Sequence, residues 1–164
     1  MYIHADSLYP RTFSKPQKVK SKKQNFVLLG IGGNKPKTLR AFFYLFKKLR
    51  THPKIHTIQS SPILHNPAFG YTKQADFENA LLALSSSFSL NEIYALIFYL
   101  ERIFGRGRVR EFKNAPRILD IDIIFYNKVI LKRAYLTIPH KNWKERASVC
   151  IPMSFLDISK TKGV

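Results

Sequence analysis

A chain of 164 residues suits one domain and can bury a core without covalent staples. Its 45% hydrophobic and 13% aromatic content excludes a disordered chain, and its one cysteine, Cys150, excludes an internal disulfide and fits a reducing cytoplasm. No apolar run is long enough to span a bilayer and the N-terminus lacks a signal-peptide core, so a cytoplasmic protein is expected, but one whose formal net charge of +18 calls for a polyanionic partner or another explanation.

Residues 1–24 show no sustained periodicity, contain Pro10 and Pro16, and end in the basic run Lys18 to Lys23. They are read as a basic, disordered extension outside a single domain at 25–164. The positive excess is not confined to them. Residues 1–25 hold six bases against Asp6, and most of the charge lies beyond. Nucleic acid, a nucleotide and general solubility would each account for it.

From Phe26 the character changes. Phe26-Val27-Leu28-Leu29-Gly30-Ile31 predicts a central strand, closed by Gly32-Gly33. Asn34 suits an N-cap, and Leu39, Phe42, Phe43, Phe46 and Leu49 then form the core row of a helix that stops at His52-Pro53. A second strand is expected from Ile55 to about Ser60, followed by a turn-rich segment from His65 to Tyr71, either a binding lip or an ordinary connection. Phe77 to Ser85 alternates as a third strand with Phe77 and Asn79 on one face. Ser89-Leu90-Asn91-Glu92 is a capping box, and Ile93, Leu96, Ile97, Leu100 and Ile103 give the stripe of a second helix ending at Gly105.

Next comes a basic stretch, with Arg102, Arg106, Arg108, Arg110, Lys113 and Arg117 against one acid, Glu111. The strand Leu119 to Phe125 follows. Alternation puts Leu119, Ile121, Ile123 and Phe125 on one face and Asp120 and Asp122 on the other. Two like charges about 7 Å apart on a half-buried face repel, and a divalent cation would resolve the conflict. Either motif alone is commonly a solvated face. Side by side, acids for hard cations and bases for phosphate are what a nucleoside triphosphate with Mg²⁺ requires. A hairpin around Asn127-Lys128, the segment Leu136 to His140, Trp143, Arg146 and the apolar Val149 to Leu156 close the chain. The order predicts an α+β fold, a ferredoxin-like βαββαβ core with an antiparallel sheet plus a C-terminal hairpin and short helix, both main helices on one face and the other free for a site.

These residues resemble the 6-hydroxymethyl-7,8-dihydropterin pyrophosphokinases of folate synthesis over about Phe26 to Leu156. Carrying the resemblance are Gly-Arg-x-Arg then Pro-Arg-x-x-Asp-x-Asp-Ile between Gly105 and Ile123, Gly32-Gly33-Asn34, Asn66-Pro67, Phe77-Glu78-Asn79, and Pro139-His140 followed by Arg146. The resemblance implies transfer of pyrophosphate from ATP to the pterin hydroxymethyl group with release of AMP, in a monomer that binds neither nucleic acid nor membrane. By the same analogy Asp120 and Asp122 hold two Mg²⁺ ions and, with Arg108 and Arg117, are catalytic. The pterin is met by Asn66, Pro67, Phe69, Phe77 and Asn79. ATP is met by Glu101, Arg106, Arg108, Arg117, Ile123, Thr137, His140 and Arg146. Ser148 stands where the family often has a second stacking aromatic, which leaves either a one-sided stack or substitution by another aromatic such as Phe69 or Tyr71. Both Gly105-Arg106-x-Arg108 and Gly107-Arg108-x-Arg110 fit the glycine–arginine motif, and the spacing from Glu101 favours the first. The rival classes are a basic nucleic-acid-binding βαββαβ module, whose sheet would carry stacking aromatics where this one has aspartates, and a palm-like nucleotidyl transferase, which leaves Phe77, Asn79 and Pro139-His140 without a role.

Overall fold

The computed structural model describes residues 24–68, 74–104 and 115–158, together with the backbone of two short strands nearer the N-terminus. In chain order these are β1 (Tyr2–Ser7), β2 (Phe13–Ser14), β3 (Asn25–Gly33), α1 (Thr38–Thr51), β4 (Ile55–Ser60), β5 (Pro62–Asn66), β6 (Phe77–Ser86), α2 (Leu90–Ile103), β7 (Asp120–Tyr126), β8 (Leu131–Arg133), β9 (Leu136–Ile138) and α3 (Ala147–Met153), with a 3-10 turn at Trp143–Glu145. Strand β6 pairs with β3 along its whole length on one side and with β4 and then β5 on the other, and β3 pairs with β7, every ladder antiparallel. The order β7-β3-β6-β4, with α1 after β3 and α2 after β6, is the ferredoxin-like arrangement.

Alternation along the strands builds two layers. Val27, Leu29 and Ile31 of β3, Ala80, Leu82 and Leu84 of β6 and Ile121 and Ile123 of β7 pack beneath α1 and α2. On the opposite face a smaller cluster of Leu28, Leu81, Ala83 and Ile124 lies against Val149 of α3, with Phe125 and Trp143 at its border. That cluster ends where Gly30 begins. Beyond it the sheet face is polar and open, and the site sits there.

Several expectations are corrected. Within residues 1–24, expected outside the fold, the backbone of β1 pairs with β5 and that of β2 with β4, since an edge strand docks through its backbone and needs no apolar periodicity. His65 and Asn66, expected in a turn-rich segment, are the end of a strand. Ser61 exchanges bonds with Leu81, its N–H donating to the Leu81 carbonyl and its Oγ accepting from the Leu81 N–H, both at 2.9 Å, so pairing resumes as β5. In α1 the buried stripe is Thr38, Ala41, Phe42, Leu45, Phe46 and Leu49, while Leu39 and Phe43 face water. That helix is apolar around most of its girth, and its rotation is fixed by Thr38 Oγ1 donating to the Ile118 carbonyl at 3.0 Å. In α2 the capping box forms, but Ile103 is exposed and Glu101 buried. Phe125 leaves the helix-facing row because Leu28 pairs with Phe125 and Leu29 with Ile123, a bulge that reverses the alternation. The hairpin lies between β8 and β9 rather than at Asn127-Lys128, where Asn127 turns the chain with φ 48°.

Candidate active site

The site is built on three strands side by side. Gly32 is in register with Asn79 on one side and Asp120 on the other, and Gly30 is opposite Asp122. Strand spacing puts the Asn79 and Asp120 backbones about 10 Å apart. Gly32 leaves the floor between them bare. A Cβ there would lie 2.9 Å from Asn79 Oδ1, so the amide can occupy its place only over glycine. Gly33 has a separate reason, since a Cβ would collide with the Ile118 carbonyl.

Asn34, 8% exposed, gathers the chain around this floor instead of capping α1, whose N-cap is Lys37. Its backbone N–H donates to the Arg117 carbonyl at 2.9 Å and its Oδ1 accepts the Arg117 N–H at 3.0 Å. Its Nδ2 donates to Gln74 Oε1 at 2.9 Å and to the Ala75 carbonyl at 3.1 Å. One amide thus ties the exit of β3, the approach to β7 and the approach to β6. Held this way, Arg117 reaches Asp120 Oδ2 at 3.0 Å and lies 5.8 Å from the centre of the Phe77 ring.

On the Asn79 side, Asn66 and Phe77 are cross-strand partners, and Asn79 Nδ2 donates to Asn66 Oδ1 at 2.6 Å. Pro67 follows Asn66, whose own Nδ2 donates to the Pro67 carbonyl at 3.0 Å. On the Asp122 side a cavity of about 350 Å³ is lined by Glu101, Asp120, Asp122, Ile123, Thr137 and His140. Glu101, 3% exposed, accepts the Ile121 N–H at 2.9 Å, which fixes β7 between its two aspartates. His140 Nε2 and Arg146 Nη1 stand 3.8 and 3.6 Å from Asp122 Oδ2. His140 is seated by its N–H donating to the Ile124 carbonyl at 2.9 Å.

The electrostatics follow from this crowding. Loss of water around Asp122, then repulsion from Asp120, raises its proton affinity above the ordinary carboxylate value, while His140, Arg146 and Arg117 pull it down. Burial lowers the basicity of His140, partly offset by Asp122 and reinforced by Arg146. Arg117 Nε is buried without a hydrogen-bond partner among the described residues, so it keeps bonding capacity at the site. Asp120 and Asp122, on one face and in opposition, are an all-oxygen donor pair that fits a hard divalent cation. No third His, Cys, Asp or Glu joins them into a metal-binding group among the described residues.

Of the expected site residues that are described, Asn66, Pro67, Phe77 and Asn79 gather at the β5–β6 ladder, Glu101, Ile123, Thr137 and His140 line the cavity with Asp120 and Asp122, and Arg117 and Arg146 reach Asp120 and Asp122. Arg106, Arg108 and Phe69 lie outside the described residues, as do Tyr71 and both alternatives for the glycine–arginine motif. Sequence reasoning missed the aromatic wall of the cavity, Tyr94 and Phe98 of α2 with Tyr135 between β8 and β9. The i, i+4 spacing of Tyr94 and Phe98 was the available signal, hidden among other apolar residues of α2.

Comparison with known proteins gives a consistent picture. A family model described as 7,8-dihydro-6-hydroxymethylpterin-pyrophosphokinase matches residues 28–158. A Helicobacter pylori protein named 2-amino-4-hydroxy-6-hydroxymethyldihydropteridine pyrophosphokinase is 50% identical over 139 residues, 85% of each chain. A protein of the same name from Campylobacter jejuni is 33% identical over 129 residues, 79% of this chain and 81% of that one. In Dictyostelium discoideum a "Folic acid synthesis protein FOL1" is 34% identical over 131 residues, which cover 79% of this chain and 19% of the relative.

Proposed function

From the premise that this chain belongs to the 7,8-dihydro-6-hydroxymethylpterin-pyrophosphokinase family, we propose that it transfers the pyrophosphoryl group of ATP to the hydroxymethyl oxygen of 6-hydroxymethyl-7,8-dihydropterin in folate biosynthesis. The pterin oxygen forms a bond to the β-phosphorus, the bond from that phosphorus to the α–β bridging oxygen breaks, and AMP leaves. One observation carries the reading: Asp120 and Asp122 stand between an aromatic–amide flank and a nucleotide-sized cavity, where the two substrates would meet.

Each flank has chemistry for its substrate. Phe77 offers a stacking face, and the Asn79 and Asn66 amides offer the donor and acceptor that a pyrimidinone edge needs. Asn66, Pro67 and Phe69 complete the pterin contacts. In the cavity Thr137 and Ile123 meet the adenosine, and Glu101 holds the strand that carries the acids. Arg117, His140 and Arg146, which lean on the carboxylates, hold phosphate oxygens when ATP enters, with Arg106 and Arg108 as further phosphate partners. Asp120 and Asp122 would hold two Mg²⁺ ions, which when bound neutralise phosphate charge and make the hydroxyl easier to deprotonate. Asp122 also assists that proton's departure.

Purified protein given ATP, Mg²⁺ and the reduced hydroxymethyl pterin will form AMP and pterin diphosphate in equal amounts, and chelation of the metal will stop it. Release of ADP, or no turnover where the pterin binds, overturns the assignment. Asp122→Asn should lower kcat at least about 100-fold with pterin affinity kept, since it removes transition-state stabilisation rather than a pterin contact.

A further inference from the structure

Next to the pterin flank is a group of side chains that the transfer reaction leaves unused. His65 of β5 is the cross-strand partner of Glu78 in β6. Its Nδ1 lies 2.9 Å from Glu78 Oε1 and its Nε2 3.1 Å from Asp76 Oδ2. His65 immediately precedes Asn66, and Asp76 and Glu78 bracket Phe77. The connection between β5 and β6 is therefore gripped at both ends by one imidazole.

Resting on the reading of Asn66, Phe77 and Asn79 as the pterin flank, we propose that His65 is a positioning residue: as an imidazolium it clasps Asp76 to Glu78 across the base of the β5–β6 connection and so sets the affinity for the pterin. A neutral imidazole carries one N–H and one lone pair, and a lone pair turned to a carboxylate oxygen repels. Both contacts are satisfied together only when both ring nitrogens are protonated. The ladder here is short, three pairs from Leu64–Asn79 to Asn66–Phe77, so the clasp adds to the Asn79–Asn66 bond in setting the spacing of the flank. A base already ordered lowers the cost of ordering the flank on binding.

Glu78 of β6 and Asp76 of the segment before it are the acids facing the ring. The side chains of β1, paired along the other margin of β5, lie outside the described residues. The hydrogen bond donated to Glu78, foremost, raises His65 above its usual 6.5, with burial opposing and Asp76 adding a smaller pull. The clasp is then present below that raised value and is lost as pH rises through it.

The test is binding of the fluorescent probe 6-hydroxymethylpterin to full-length protein from about pH 6 to about pH 8. Wild type should weaken roughly three- to tenfold across this window, in one single-proton step, as one ion pair and its ordering are lost. His65→Ala should bind at pH 6 as wild type does at pH 8, with no such step, while kcat at saturating pterin and the KM for ATP stay unchanged. The ratio of the two proteins cancels titration of the probe. Asp76→Asn, at a carboxylate 47% exposed, should keep the step but move it to lower pH, and serves if His65→Ala does not fold. An unmoved step in Asp76→Asn, or a wild-type profile in His65→Ala, overturns the clasp alone. Wild-type protein that does not bind the probe overturns the pterin reading, and the clasp with it.

Discussion

At the scale of single residues, the absence of a side chain at Gly32 does as much as the presence of one at Asn79. The amide oxygen lies where a β-carbon from β3 would otherwise press, so the polar floor depends on a residue with nothing above its backbone. Gly32→Ala should displace the Asn79 amide, break its bond to Asn66, and raise the KM for the pterin roughly tenfold, the cost of about one hydrogen bond, with a much smaller change in kcat. Steady-state kinetics with each substrate varied in turn separates these effects. A KM for ATP that rises in parallel would show that the floor serves both flanks. Arg117 joins the flanks, since it meets Asp120 with its guanidinium and borders the Phe77 ring. Asn34 explains its placement: a side chain that reads as an ordinary helix cap is spent holding the Arg117 backbone.

At the scale of elements, α2 begins with a complete capping box, Ser89 accepting from the Glu92 N–H while the Glu92 carboxylate accepts from the Ser89 N–H at 2.8 Å. Lys54 pairs with the same carboxylate and, with Ser89, holds Glu92 at about 2 instead of 4.5. A carboxylate with a depressed value stabilises the fold above its unfolded value and loses that contribution as pH falls through the folded one. Ser89→Ala should lower stability by about 1 kcal/mol, the usual cost of losing an N-cap side chain. Thermal unfolding of Glu92→Gln should fall below wild type above pH 4.5 and converge with it near pH 2. A gap that widens in acid would reverse the sign of the argument. The same scale decides what was legible beforehand. Asp120 with Asp122, and Phe77 with Asn79, were readable because a two-residue period alone places them on shared faces. Phe125 was not, because the bulge that turns it over lies in the pairing of Leu28 and Leu29 with β7. Leu39 and Phe43 could not be told from the true core row because Phe42, Leu45 and Phe46 surround them, and the Thr38–Ile118 bond that fixes the rotation spans distant segments. His65, Asp76 and Glu78 gave no signal, since only the β5–β6 register brings the ring between the two acids.

At the scale of the whole molecule, a chain with a net charge of +18 receives a triphosphate under the proposed function. Long-range attraction then assists ATP and leaves a neutral pterin indifferent, and salt screens it over about 10 Å at 0.1 M. Raising ionic strength should lower kcat/KM for ATP severalfold and leave the pterin value nearly constant. Equal sensitivity of both would place the effect in the catalytic groups instead of in the field. No helix among the described residues is long and apolar enough to cross a membrane.

Strand β7 forms the outer margin of the sheet and, among the described residues, pairs with β3 alone. Left unpaired, the outward-turned N–H of the buried Ile121 would be a free ladder donor on that margin, the feature by which a foreign strand adds itself in edge-to-edge aggregation. The Glu101 carboxylate already occupies that donor from inside the molecule. An intruding chain would have to evict a buried anion before making its first bond, so the contact that steadies the aspartates also guards against self-polymerisation.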